Sequence, residues 1–294
     1  MKDTSVEPNL KFKKKSVENN IQLYLHNNRL LPLPTEIEIS ESGTCNRKCV
    51  FCPRSAPGFE DKKIFIDPKL VEKISLELNE LSYSGVIRFS GFVEPLLDKK
   101  IFDHIETFKS NCKSARIEMV TNGDVLNLSR LKKLFKSGLN KILISVYDSK
   151  EDADKFDDMA KKAGLNESQY IIRHRYLPPE QNFGIILSNR AGEMEKGEYK
   201  IKKLNEPLKK ACYIPSYTLF MDYTGEVLIC PHDWGKKFVV GNLNKDKFTD
   251  LWFSKKLMMA RSILNKQNRN FDPCNLCDVE GTLMGKVNST YFNK

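Results

Sequence analysis

"CNRKCVFC", residues 45–52, packs three of the chain's eight cysteines into one short segment. Three thiolates this close together do not close a tetrahedral zinc site unaided, although a distant fourth ligand would complete one. A four-iron cluster has four corners, and a segment that ligates three of them leaves one iron open to a small molecule. Phe51, beside the last of these cysteines, is placed to shield such a cluster.

Outward from this segment the chain alternates β-rich apolar runs with amphipathic helical ones. "EIEIS" (36–40), "VIRFSG" (86–91), "ARIEMVTNG" (115–123), "KILISVYD" (141–148), "YIIRHRY" (170–176) and "FGIILSN" (183–189) have strand character. Between them, Asp67 and Pro68 start one helix, and Gly138 stops another. Such βα repetition predicts an α/β fold with a parallel sheet, either an open doubly wound sheet or an incomplete β/α barrel. In both, chemistry gathers at the C-terminal ends of the strands, where the cysteine segment lies. Ser90, Thr121, Asn122, Ser145, Asn189 and Arg190 fall at the same end.

After about residue 205 the pattern changes. "YTLFMDYTGEVLIC" (217–230) reads as a hairpin turning at Thr224-Gly225, followed by the helical "KFTDLWFSKKLMMARSIL" (247–264) and "PCNLCD" (273–278). The expected units are an N-terminal extension (1–35), a barrel (36–205) and a small hairpin-plus-helix domain (206–294). At 294 residues the chain is long enough for all three.

No apolar run approaches the roughly 20 residues that span a bilayer, and the N-terminus lacks the apolar stretch of a signal peptide. A cytoplasmic, reducing setting is expected, in which eight cysteines serve metal ligation or catalysis rather than disulfides. The net charge of +10 comes from scattered lysines, and the densest run, Lys11 to Lys15, falls in an expected tail. That distribution reads as a solvated basic surface rather than a nucleic-acid footprint, and it suits a phosphorylated substrate or an acidic electron-donor protein.

The spacing Cys45, three residues, Cys49, two residues, Cys52, after the first strand and with an aromatic before the last cysteine, resembles the radical S-adenosylmethionine (SAM) superfamily. The resemblance implies a partial (β/α)6 TIM-like barrel. Its four-iron cluster chelates SAM and, once reduced by a flavodoxin- or ferredoxin-type donor, yields a 5′-deoxyadenosyl radical. "FSGFVEPLL" (89–97) is similar to the family's glycine-rich segment that contacts the SAM amino group; Glu94 and Pro95 match, whereas Val93 stands where glycine is usual. By the same resemblance Thr121, Asn122 and Ser145 support SAM, and Arg173 or Arg175 pairs with its carboxylate.

The remaining cysteines are Cys112, alone, and Cys212, Cys230, Cys274 and Cys277. Four thiolates in two pairs suit zinc in an arbitrary chain. Behind a radical SAM core they resemble the twitch or SPASM extension, whose hairpin carries a glycine turn before its second cysteine. That implies a second four-iron cluster with no open iron, one that passes electrons. Within the family the layout is most similar to twitch-bearing members that dehydrogenate a cyclitol, through "TNGD", "LSNR" and the "GNL…LW" run. Arg190 matches a substrate-contacting arginine of those members. Pro231 and His232 stand where they carry a different pair that includes a carboxylate.

Three reactions compete. Oxidation of a secondary alcohol on a sugar or cyclitol, free or linked to phosphate or nucleotide, needs a base near the substrate, with Arg190 and His232 as candidate polar contacts. Epimerisation or peptide modification needs a hydrogen-atom donor such as a free thiol. Cys112, which precedes the third strand, is expected at the opposite face as a small buried apolar residue. The third alternative is a non-catalytic iron–sulfur or zinc-binding module. Sugar oxidation is the reading adopted.

Overall fold

The computed structural model describes residues 9–292; residues 1–8 of the expected extension and 293–294 of the expected C-terminal unit lie outside the described residues. The described residues begin with helix α1 (Asn9–Asn19) and a hairpin of β1 (Leu23–His26) and β2 (Arg29–Pro32). The central strand β3 (Glu36–Ser40) follows, then a small two-stranded flap of β4 (Ser42–Gly43) and β5 (Lys62–Phe65). Four βα turns come next: α2 (Pro68–Glu80) to β6 (Val86–Phe89), α3 (Ile101–Asn111) to β7 (Arg116–Thr121), α4 (Leu128–Lys136) to β8 (Lys141–Val146), and α5 (Lys150–Lys162) to β9 (Tyr170–His174). The C-terminal third holds α6 (Ile214–Tyr217), β10 (Thr218–Asp222), β11 (Glu226–Leu228), β12 (Val239–Asn242), α7 (Phe248–Trp252), α8 (Lys255–Asn265) and α9 (Lys286–Thr290).

One eight-stranded sheet runs in the order β12-β11-β10-β3-β6-β7-β8-β9, with β10 through β9 parallel. This is the expected mixed α/β fold with a central parallel sheet. Five of the six expected strands are present. The sixth, Phe183–Asn189, is not a strand. Asn182, Phe183 and Gly184 have positive φ, and the Arg175 guanidinium holds the Gly184 carbonyl, so the segment turns away from the β9 edge. Its place as a sixth parallel strand is taken by β10, which pairs with β3 from Thr218 opposite Glu36 to Asp222 opposite Ser40. The C-terminal hairpin therefore continues the barrel sheet, turning at Gly225, whose φ of 82° a side chain would resist.

Local chemistry explains the helices. Asp67 caps α2 by accepting from the Lys69 amide at 2.9 Å, and Leu70, Val71, Ile74 and Leu78 recur at helical spacing and are buried. Ile37 and Ile39 of β3 face this helical layer and are fully buried. Their alternates, Glu36 and Glu38, face the concave side, where Arg88 binds both Glu36 and Glu118, and Ser90 Oγ donates to Glu38 at 2.6 Å. This face of the sheet thus carries buried charges, with Arg88 pairing to Glu36 and Glu118.

The lysine run expected in a tail is instead the docked helix α1. Lys13 Nζ binds Glu36 at 3.0 Å, and the Phe12 ring lies 3.8 Å from Lys141 Nζ, so α1 meets the strands at their first residues. Val17 buries against Tyr217 and Met284. Trp252 of α7, with Nε1 donating to Pro32 O at 2.8 Å and Arg261 stacked on its ring, ties the C-terminal helices to β2.

Candidate active site

The flap β4–β5 opens at the end of β3, and the segment between its strands presents Cys45, Cys49 and Cys52 to a cavity of about 160 Å³. A turn closes the last two cysteines, with the Cys52 amide donating to Cys49 O at 2.9 Å. Buried Arg54 fastens one side of the loop: it donates to Phe92 O at 2.8 Å and Gly43 O at 3.0 Å, and pairs with Asp61. Asp61 in turn accepts from Thr44 Oγ1 at 2.5 Å. Burial pushes the Cys45 thiol up to about 11 and the Cys49 thiol up to about 12, and the nearby thiols add to the rise. Three thiols facing one cavity, each resisting ionisation alone, fit a cationic iron–sulfur core that stabilises thiolates.

The same cavity brings together Glu94, Thr121, Asn122, Ser145, Arg173 and Arg190. Glu94 is buried; its carboxylate accepts from Thr121 Oγ1 at 2.6 Å, the Asn122 amide at 2.6 Å and the Leu96 amide at 3.0 Å. Burial pushes this carboxyl up to about 7 and those hydrogen bonds partly offset it. Asn122 Nδ2 lies 3.9 Å from Cys45 Sγ, so the strand-end segment touches the cluster loop. Of the two arginines expected near a carboxylate, Arg173 lines the cavity. Arg175 is buried behind it and holds the Gly184 carbonyl.

Cys212, Cys230, Cys274 and Cys277 form the second set. Each of Cys212, Cys274 and Cys277 raises the Cys230 thiol further, after burial, which places the sulfurs in one electrostatic neighbourhood. A Cβ on Gly281 would lie 2.4 Å from Cys212 Sγ, so glycine keeps space beside that sulfur. Arg269, fully buried, stitches the segments together by donating to Lys210 O, Ala211 O, Val279 O and Glu280 O at 2.6 to 2.9 Å. Among the described residues no three His, Cys, Asp or Glu side chains converge on a single metal-ion position.

A larger cavity of about 380 Å³ joins the first, sharing Ser90, Gly91, Arg173, Arg190 and Trp234 with it. Its walls add Glu38, His232, Tyr217 and, from α1, Leu10 and Lys13. Arg190 has a φ of 48°, a left-handed conformation costing about 1–3 kcal/mol. Asn189 sustains it by donating from Nδ2 to Leu276 O at 2.7 Å, while its amide donates to Asp278 Oδ1 at 2.9 Å. The arginine is thereby fixed to the Cys274–Cys277 segment. His232 Nδ1 lies 3.4 Å from Arg190 Nη1 and 3.2 Å from Ser188 Oγ. An arginine N–H only donates, so Nδ1 is the acceptor, and a neutral ring carries its proton on Nε2. Burial, then the Arg190 and Lys13 cations, push the imidazole down to about 3, so it is neutral. Arg190 and Ser188 thus engage the accepting nitrogen of His232, the sequence-based candidate polar contact, and leave Nε2–H as its other polar group.

Glu38, Arg47, Arg54 and Arg269 escaped the sequence reading. Glu38 had a signal, since two glutamates alternate with two isoleucines in "EIEIS", which marks a strand with one charged face. The arginines had none beyond being charges in loops.

Residues 39–174 match the model of the Radical SAM superfamily, and residues 212–278 match the iron–sulfur cluster-binding domain SPASM. The chain is 28% identical over 243 residues to the S-adenosyl-L-methionine-dependent 2-deoxy-scyllo-inosamine dehydrogenase of Niallia circulans, covering 82% of this chain and 92% of the relative. The fold is similar to that of BtrN in complex with AdoMet and 2-DOIA, with a TM-score of 0.69 at 27% identity over 84% of this chain and 94% of that one. It is also similar, as a fold alone, to anSMEcpe with bound AdoMet, with a TM-score of 0.56 at 14% identity over 87% of this chain and 95% of that one.

Proposed function

We propose, of a chain that belongs to the radical SAM superfamily and carries its SPASM-type iron–sulfur domain, that it oxidises a secondary alcohol of a sugar or cyclitol to a ketone. The observation that carries this reading is the pair of joined cavities, one walled by Cys45, Cys49 and Cys52, the other by Arg190 and His232 against the segments that bear Cys230 and Cys274. Cys45, Cys49 and Cys52 would hold a first cluster, which with SAM would supply hydrogen-atom abstraction, and Cys212, Cys230, Cys274 and Cys277 would hold a second, which would supply electron acceptance. Glu38, buried on the shared side of the cavities beside Ser90, is the acceptor for the hydroxyl proton. Losing that proton makes the carbon radical a stronger reductant. Arg190 and the Nε2–H of His232 donate to the substrate oxygen and hold it.

Glu38→Gln removes the proton acceptor while preserving volume, and is expected to lower carbonyl formation by about 100-fold or more. Arg190→Ala and His232→Ala are expected to lower it as well. All three are to be read with iron content at the wild-type level, because cluster loss would mimic the effect. Carbonyl formation at the wild-type rate in an iron-replete Glu38→Gln enzyme removes Glu38 from the role.

Cys112 is not placed to be the hydrogen donor that the epimerase alternative needs. Cys112 is buried between α2 and α3 with Sγ donating to Ser75 O at 3.3 Å, and it lines neither cavity of the site. An acidic electron donor of flavodoxin or ferredoxin type suits the net charge of +10. A cytoplasmic location suits exposed-to-air-sensitive clusters held by reduced thiols, and among the described residues no helix is long and apolar enough to cross a membrane.

A further inference from the structure

The loop that carries Cys45, Cys49 and Cys52 must be ordered to present three sulfurs to one cluster. Among the described residues, no hydrogen bond between backbone groups joins residues 45–48 to the rest of the chain. Apart from the Cys45 amide, which donates to Asp61 Oδ1 at 3.4 Å, the attachment comes from side chains, chiefly Arg47 between the first two cysteines. Its Nε donates to both oxygens of Asp124, at 2.9 and 2.7 Å, and its Nη2 to Asp124 Oδ1 at 2.6 Å. The same guanidinium donates to Asp148 at 2.9 Å through Nη1 and 2.5 Å through Nη2, and its carbon lies 5.1 Å from the centre of the Tyr147 ring. Asn46 Nδ2 adds a bond to Asp124 Oδ2 at 2.7 Å, and Asn46 Oδ1 accepts from Asn122 Nδ2 at 2.7 Å.

Asp124 and Asp148 belong to the segments that leave β7 and β8. The first of these segments also supplies Thr121 and Asn122 to Glu94. We infer that Arg47 is a positioning residue, a clamp that locks the cluster loop in register with the strand ends that receive SAM, so that cluster retention and SAM binding depend on the same guanidinium. Lone exposed ion pairs contribute about 0–1 kcal/mol, but bidentate networks are the exception. Asp148, whose side chain is 59% exposed, should contribute less than Asp124 at 27%.

The test is iron release from anaerobically prepared holoenzyme to a ferrous chelator, followed with and without SAM. Groups that orient metal ligands typically matter by about 10–100-fold in affinity. Arg47→Ala should therefore release the iron of the Cys45–Cys49–Cys52 cluster about tenfold faster or more, Asp124→Asn nearly as fast, and Asp148→Asn less. The Arg47→Ala/Asp124→Asn double variant should release iron more slowly than the product of the two single effects, because both break the Arg47–Asp124 linkage and only the Asn46 bond to Asp124 is separate. SAM should perturb the electron paramagnetic resonance signal of the reduced Arg47→Ala cluster less than that of the wild type, and Arg47→Lys, keeping the charge but losing the fork, should fall between. Iron release from the second cluster, measured with the first three cysteines replaced by alanine, should not change on adding Arg47→Ala. Wild-type release from Arg47→Ala, additive effects of Arg47→Ala and Asp124→Asn, or equal loss from both clusters overturns the inference. Should Arg47→Ala not fold, Asp124→Asn and Arg47→Lys decide by the same comparisons.

Discussion

Replacing Cys45, Cys49 and Cys52 together by alanine is expected to leave one four-iron cluster per chain and to abolish formation of 5′-deoxyadenosine from SAM. The three sulfurs line the cavity that also holds Glu94, Thr121 and Asn122, and among the described residues no cysteine outside this set lines it. Nothing remains there to hold iron once the thiols are gone. Iron should fall from about eight to about four atoms per chain, the difference of one four-iron cluster. The fold should survive, because the loop is also fastened through Arg54 and Asp61 and the hydrophobic core lies behind β3, away from the cysteines. Production of 5′-deoxyadenosine by the triple variant would place SAM cleavage elsewhere.

The second large effect is expected on removing Cys274 and Cys277. These cysteines flank the short turn that Asn189 grips at Leu276 O, and Asn189 precedes Arg190. With both changed to alanine the second cluster should be lost and carbonyl formation should fall to background, while SAM cleavage at the first cluster persists. The substrate then yields its hydrogen but has no acceptor for its remaining electron. Retention of the first cluster's iron is the control for folding. Carbonyl formation at the wild-type rate without the second cluster would remove its role as acceptor.

The strands β3 and β6 to β9 were legible because apolar residues recur in short runs between capped helices, and both features are local. The pairing of β10 with β3 was not, since nothing near residue 218 indicates that its partner lies at residue 36. The apolar run at 183–189 looks like a strand because Ile185, Ile186 and Leu187 line a cavity, and a cavity wall selects the same residues as a sheet. The lysines of α1 read as solvated charges, but Lys13 pairs with Glu36 of β3, which Arg88 also binds. That the cysteines gather in two sets was legible because their spacing is written in the sequence. The arginines that hold them in place were not, because a clamp is defined by its partners, and those of Arg47 lie 77 and 101 residues away.

The most direct test of alcohol oxidation is a comparison of carbonyl and 5′-deoxyadenosine yields. Reconstituted, reduced holoenzyme would be given SAM and a panel of sugars and cyclitols, free and linked to phosphate or nucleotide, with 2-deoxy-scyllo-inosamine and short peptides included. Taking one hydrogen atom, one proton and one electron from a carbinol gives a ketone and consumes one SAM. The account therefore predicts a panel member that gains a carbonyl in amounts equimolar with 5′-deoxyadenosine, with deuterium from its labelled carbinol carbon recovered in the deoxyadenosine. A member that stimulates 5′-deoxyadenosine formation but returns as an epimer, or as a modified peptide, with no carbonyl would contradict it.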